Sequence, residues 1–168
     1  MQAKGVIILD RPKFDIQMNA LLTAAEALIP EKEPADLPFM TDTPDVRVWH
    51  QFELELWNKG EAIRQLILKS RKEPDPEQTR RICRICAEPF AKRGRQSFIL
   101  LLGKTRYAGY APMIAAQLPD DDVAGQVIIT LYKMGCSGYL AQIEPFTKHE
   151  RAWIRNAAKK YVDKYSRI

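Results

Sequence analysis

The 168-residue chain has three cysteines, two histidines and no glycine-rich loop. Cys83, Cys86 and Cys136 do not form an even disulfide framework. Its longest apolar runs, Gly5–Leu9 and Phe98–Leu102, are far shorter than the ~18 residues that span a bilayer. The N-terminal apolar run is too short, and too soon followed by Asp10-Arg11-Pro12, for the core of a signal peptide. A cytoplasmic protein with reduced thiols and no membrane partner is expected.

The two histidines, His50 and His149, are isolated from each other in sequence, and neither is linked to a Ser or Cys nucleophile. Leu102-Gly103-Lys104-Thr105 ends like a phosphate-binding loop. It lacks the earlier glycine, and it closes a predicted helix instead of opening one. Cys83-Arg-Ile-Cys86 has the spacing of a zinc or redox pair. A structural zinc needs four ligands, and Cys136, His50 and His149 have no pair spacing. The motif also sits inside a helix beside Ile82 and Ile85, so buried thiols are the better reading. Asp120-Asp121-Asp122 fits helix capping better than a metal. Trp49, Trp57 and Trp153 read as core anchors. The expectation is no catalysis, no cofactor and no metal.

What the chain has is charge asymmetry. Residues 1–58 hold 5 basic and 10 acidic groups; residues 59–107 hold 13 basic and 5 acidic; the remainder holds 8 and 6. Either the two halves attract each other or the basic body meets an anionic partner. Arg80, Arg81 and Arg84, with Arg93 and Arg95, could follow phosphates. Aromatic residues to interleave with them are scarce, since Phe90 and Phe98 both read as buried.

Periodicity predicts helices. Phe14, Met18, Leu21, Leu22, Ala25 and Leu28 share one face of a helix over 12–29, with Pro12 in its first turn and Pro30 ending it. Val6 to Leu9 reads as helix or coil. Four prolines in 30–44 exclude a regular helix there. Residues 46–58 alternate like a strand, yet Trp49, Phe52 and Leu56 are spaced like a helix. A helix is expected, capped by Thr43 with Pro44 in its first turn and broken or kinked by Gly60. Another helix is expected over 60–72.

After Pro76 helices come in pairs: 76–89 with 92–106, 108–118 with 121–135, and 137–146 with 149–165. The spacing is about 29 residues, and aligned columns such as Ile99, Ile128 and Ala157 form an apolar stripe. One pair cannot bury its stripe alone, but stacked pairs can. Asp120-Asp121-Asp122-Val123 with Leu131-Tyr132-Lys133-Met134-Gly135 resembles the turn, second helix and closing Lys-x-Gly of HEAT and HEAT-like repeats. His149-Glu150-Arg151-Ala152-Trp153-Ile154-Arg155-Asn156-Ala157-Ala158 resembles the same turn and its Val-Arg-x-x-Ala helix. The resemblance covers about 76–168. The usual arginine after the turn is matched only by Arg155, with Gln126 and Ser97 at the equivalent positions.

The resemblance implies an all-α fold, a short right-handed α-α superhelix, with residues 1–75 as an N-terminal helical cap and Pro-rich connector. It implies a binding or adaptor protein whose second helices line a concave face. On that face the alignment places Arg93, Ser97 and Lys104, then Asp122, Gln126, Thr130 and Lys133, then Arg151, Arg155 and Lys159. Arg93, Gln126, Lys133, Arg151, Arg155 and Lys159 are the expected partner-binding residues. A protein partner is the leading expectation. Nucleic acid, including lesion recognition as in HEAT-like alkylpurine DNA glycosylases, is the alternative. A small inhibitor or immunity protein is a third possibility.

Overall fold

A computed structural model describes residues 9–43 and 45–167. It is all-helical, and the only β-type pairing among the described residues is an isolated bridge between Phe39 and Arg47. The expectation for Val6 to Leu9 falls mostly outside the described residues.

Helix α1 (Arg11–Leu28) begins where the Asp10 carboxylate accepts from the Lys13 backbone N–H, with Pro12 in the first turn, and buries Phe14, Met18, Leu22 and Ala25. Helix α2 (Gln51–Ser70) differs from expectation at both points that were ambiguous in the sequence. It starts at Gln51, capped by His50 and not by Thr43. Residues 46–48 are instead held extended, with Met40 N–H donating to Val46 O at 2.7 Å and Val48 N–H to Pro38 O at 2.8 Å. Gly60 does not break it. A Cβ at Gly60 would collide with Ser97, so this glycine provides room for close helix packing within one continuous helix.

The later pairs follow the predicted order with shorter helices. Helix α3 (Pro76–Ala87) opens with a capping box between Asp75 and Gln78. A 3₁₀ segment over Pro89–Arg95 leads into α4 (Gln96–Leu101), so the expected helix 92–106 is mostly replaced by tighter turns. Another 3₁₀ segment, Thr105–Tyr110, precedes α5 (Ala111–Ala115). Helix α6 (Ala124–Met134) ends on Gly135 in the left-handed conformation. Helix α7 (Leu140–Ile143) runs into a 3₁₀ segment at Glu144–Lys148, and α8 (Ala152–Tyr165) closes the order. Prolines 89, 112 and 145 stand at the first or second position of their helical segments, where their missing N–H is harmless.

Packing follows two successions. Helix α2 lies against α4, α4 against α6, and α6 against α8; on the other side α1 meets α3 and α3 meets α5. The described residues up to 75 are joined to the rest by the contacts of α2 with the Pro89–Arg95 segment and α4, and of α1 with α3. The α2-α4-α6-α8 helices have like ends together. At their starts, Gln96 donates to Asp122 O at 2.6 Å, and Gly125 lies under Trp153 and Ile154. At their finishes, Gly103 is against Lys133, and Tyr161 hydroxyl donates to Cys136 O at 2.5 Å. One core runs between the successions, from Phe14 and Leu56 through Ile99, Ile128 and Leu131 to Ile154 and Tyr161.

Candidate functional site

The α2-α4-α6-α8 row has two edges, one at the helix starts and one at the helix finishes. They treat positive charge differently.

At the starting edge the cations are used up inside the chain. Glu53, fully buried, accepts from the Arg93 backbone N–H at 3.0 Å, from Arg93 Nε at 3.2 Å and from the His50 N–H at 2.7 Å. The Arg93 guanidinium also donates to Arg47 O at 2.6 Å and Val48 O at 2.8 Å, and stacks over Trp49. Arg95 is fully buried. It donates to Cys86 O at 2.9 Å, to Gln117 Oε1 at 2.7 Å and to the Asp120 carboxylate, leaving only its Nε unpartnered. Arg151 donates to Asp45 O at 2.6 Å. Arg155 donates to the carbonyls of His149 at 2.7 Å and Glu150 at 3.1 Å. Lys92 reaches Asp36 at 3.4 Å. These contacts strap the connector across the starts of α2, α4 and α8, and surround a polar cavity of about 80 Å³. Within it, burial and then the nearby Asp120 raise the Asp122 carboxyl above its ordinary range, against the pull of Arg93 and Lys92.

The stripe expected from the sequence therefore splits. Arg93 is buried in its ion pair with Glu53, not presented to a partner. Ser97 and Thr130 are buried too. The Ser97 hydroxyl donates to Trp57 O at 2.9 Å and that of Thr130 to Ile99 O at 3.1 Å, so both are seams between successive helices and not groove positions. Arg151 and Arg155 are half-buried; Arg151 holds the connector at Asp45 and Arg155 holds its own turn. Gln126 is half-buried, while Lys133 and Lys159 are exposed. A repeat alignment registers residues along helices but does not show which side of each helix its neighbour covers.

The cysteine pair sits as the sequence suggests. Cys86 is buried and Cys83 half-buried. Burial pushes the Cys83 thiol up to about 11 and the Cys86 thiol well above its usual value, so both remain protonated and poorly nucleophilic at neutral pH. Asp120 accepts from Arg95 and from the Asp122 N–H at 2.9 Å. Among the described residues no group of His, Cys, Asp and Glu could hold a metal ion.

At the finishing edge cations are abundant and mostly unpaired. Lys69 and Arg71 close α2, and Lys72 follows. Lys104 and Arg106 follow α4, and Lys133 lies in the last turn of α6. Lys160 and Lys164 on α8 lie 4.8 and 4.4 Å from the Tyr132 ring centroid of α6. Each step of this rim touches the next. Lys104 pairs with Glu73 at 2.7 Å, linking the end of α2 to that of α4. The Lys133 stem lies against Gly103, linking α4 to α6, and the Tyr132 ring links α6 to α8. Glu73 also accepts from the Tyr107 hydroxyl at 3.2 Å. Among the described residues no carboxylate lies within ion-pair distance of Lys69, Arg71, Lys72, Lys133, Lys160 or Lys164. Carbonyl ends of parallel helices favour cations, which accounts for part of this enrichment. Of the rim, the sequence-based stripe had included only Lys133 and Lys104. The available signal was the recurrence of bases in or just after the last turn of every second helix.

Comparison with family profiles, curated proteins and solved structures finds no match for the chain. Among the described residues no helix is long and apolar enough to cross a membrane.

Proposed function

We propose that the chain is a non-enzymatic binding or adaptor protein, a short right-handed α-α superhelix of the HEAT-like kind that presents a partly basic surface to an anionic partner. The ordered contacts α2–α4–α6–α8 and α1–α3–α5 support the superhelical reading. They also make α1 and α2 a first pair of the stack as well as its cap. The observation that carries the binding reading is the contrast between the edges: cations at the helix starts are consumed by the fold, and among the described residues most of those at the finishes have no carboxylate partner. Of the expected contact set, Lys133 and Lys159 are exposed and remain, while Gln126 is half-buried in the first turn of α6. Arg93, Arg151 and Arg155 serve the scaffold. The protonated state of Cys83 and Cys86 fits a binding role better than thiol chemistry.

The test is retention on an immobilised polyanion such as heparin. The native chain should stay bound well past the salt at which a Lys133→Glu/Lys159→Glu variant of equal helicity elutes. Identical elution of the two proteins would remove the anionic-surface reading.

A further inference from the structure

We infer that the finishing edge of the α2-α4-α6-α8 row is a docking surface for the phosphate backbone of duplex DNA, contacted without reading base sequence. The inference rests on the proposed anionic-partner role and names the partner's class, in place of the acidic protein that the sequence alone favours.

Three observations carry it. The first is continuity. The rim runs across four helix ends with a contact at every step, from Lys72 past Glu73 and Lys104 to Lys133, Tyr132 and Lys164. Packed helices lie about 8–10 Å apart, so the three intervals between four ends span roughly 24–30 Å, most of one turn of duplex DNA at about 34–36 Å. The second is the state of the cations. Six of them have no carboxylate within ion-pair distance among the described residues. Of the acidic groups nearby, Glu73 is engaged by Lys104 and Tyr107, and Asp10 and Asp15 by Lys13 and Arg11, while Asp163 stands exposed on α8 beside Lys164.

The third is side-chain type. Protein interfaces centre on desolvated apolar or aromatic anchors and are depleted in lysine. Here five of the six free cations are lysines, Leu68 is the exposed large apolar side chain at this edge, and the half-buried Tyr132 ring is covered by the ammonium groups of Lys160 and Lys164. That covering occupies a face of Tyr132 on which an unpaired base would stack, which favours duplex over single strand. Flexible, hydrated point charges along a straight edge fit phosphates, whose binding gains from release of condensed counterions.

The full chain would be titrated into fluorescein-labelled duplex DNA of about two turns, with fluorescence anisotropy as the readout. The same would be done with duplex RNA of matching sequence and with labelled poly-glutamate. With about four phosphates neutralised, affinity for DNA should fall about 100-fold between 50 and 200 mM salt. A Lys133→Glu/Lys160→Glu/Lys164→Glu variant should bind at least about ten-fold more weakly, and the corresponding Lys→Gln set should lie between it and the native chain. A Lys148→Glu variant, away from the rim, should bind as the native chain does. Circular dichroism checks that each variant is folded, and the Gln set stands in if the Glu set is not.

Poly-glutamate bound as tightly as DNA through the same lysines would overturn the nucleic-acid assignment and leave the anionic-partner reading standing. A marked preference for duplex RNA would overturn the choice of DNA. DNA binding indifferent to the rim variants would overturn the site. Failure to bind any of the three at low salt would overturn both this inference and the reading on which it rests.

Discussion

The two edges of one helix row hold similar numbers of cations and spend them differently. At the helix starts, arginines predominate. Each faces a carboxylate or a cluster of carbonyls that a planar, multi-donor guanidinium can satisfy at once: Arg93 on Glu53, Arg95 on Asp120, Arg155 on two turn carbonyls. At the finishes lysines predominate, and six of the rim's basic side chains lack a carboxylate partner among the described residues. Arginine here is construction and lysine is display. Net charge alone does not separate these roles, because a guanidinium locked onto a buried glutamate counts the same as a free ammonium.

The contrast is broken most forcefully at Glu53. Replacing it with alanine strands the buried Arg93 guanidinium and removes the acceptor for two backbone N–H groups. A loss of about 3–5 kcal/mol is expected in urea unfolding, with retention on a polyanion unchanged in the fraction that still folds. At the other edge the effect should invert. Lys133→Glu with Lys164→Glu should shift the thermal midpoint by no more than about 3 °C while abolishing polyanion retention. A large stability loss there would show the lysines to be structural after all.

A third expectation concerns groups held neutral between the edges. Burial pushes the Tyr107 and Tyr161 hydroxyls up to about 12 and the Cys83 thiol up to about 11. In the unfolded chain these groups ionise at lower pH, so above it the unfolded state binds fewer protons than the folded one. Their contribution is complete below about pH 8.5, declines as pH rises from there, and is lost by about pH 12. Chemical denaturation from pH 7 to 11 should show this slope, and Tyr161→Phe should flatten it.

The smallest effect is expected at Asp122, whose carboxyl is raised by burial and by neighbouring Asp120. The stability associated with its neutral form is present below the ordinary carboxylate range and lost as pH rises through the raised value. Asp122→Asn should therefore raise the midpoint slightly at pH 7, with the gain vanishing near pH 3. A decrease at pH 7 would mean that Lys92 and Arg93 outweigh the acidic neighbours.

Much of this was legible in the residues. The stripe Phe14, Met18, Leu22 and Ala25 reads directly as a buried helix face, and the prolines that exclude helix from 30–44 do so in the structure. The 46–58 ambiguity resolved both ways, because the alternating Val46-Arg47-Val48 pairs with the connector while the 3.6-residue period takes over at Gln51. Gly60 was misread since glycine's local weakness in a helix and its value at a close crossing look identical until the neighbour, Ser97, is known. The buried pair had a visible sign. Glu53 stands on the same face as Leu56, Gly60, Ile63 and Ile67, and a carboxylate on an apolar stripe calls for a cation from elsewhere. Its partner lies forty positions on, and no local pattern links them.

The strap across the helix starts has a consequence for the order in which the molecule can be completed. Its anchors come from Lys92 and Arg93 and then from Arg151, which meets Asp45 across 106 positions of sequence. A ribosome adding about 5–20 residues per second needs roughly 5–20 s to cover that distance. Over the first part of that interval α1 and α2 can associate while the connector between them lacks its Lys92 and Arg93 anchors, and its Asp45 end stays unfastened until Arg151 is made. The emerging polypeptide therefore fastens this segment in two steps, and chaperone capture of Phe39, Met40 and Val48 during translation would fall before the first.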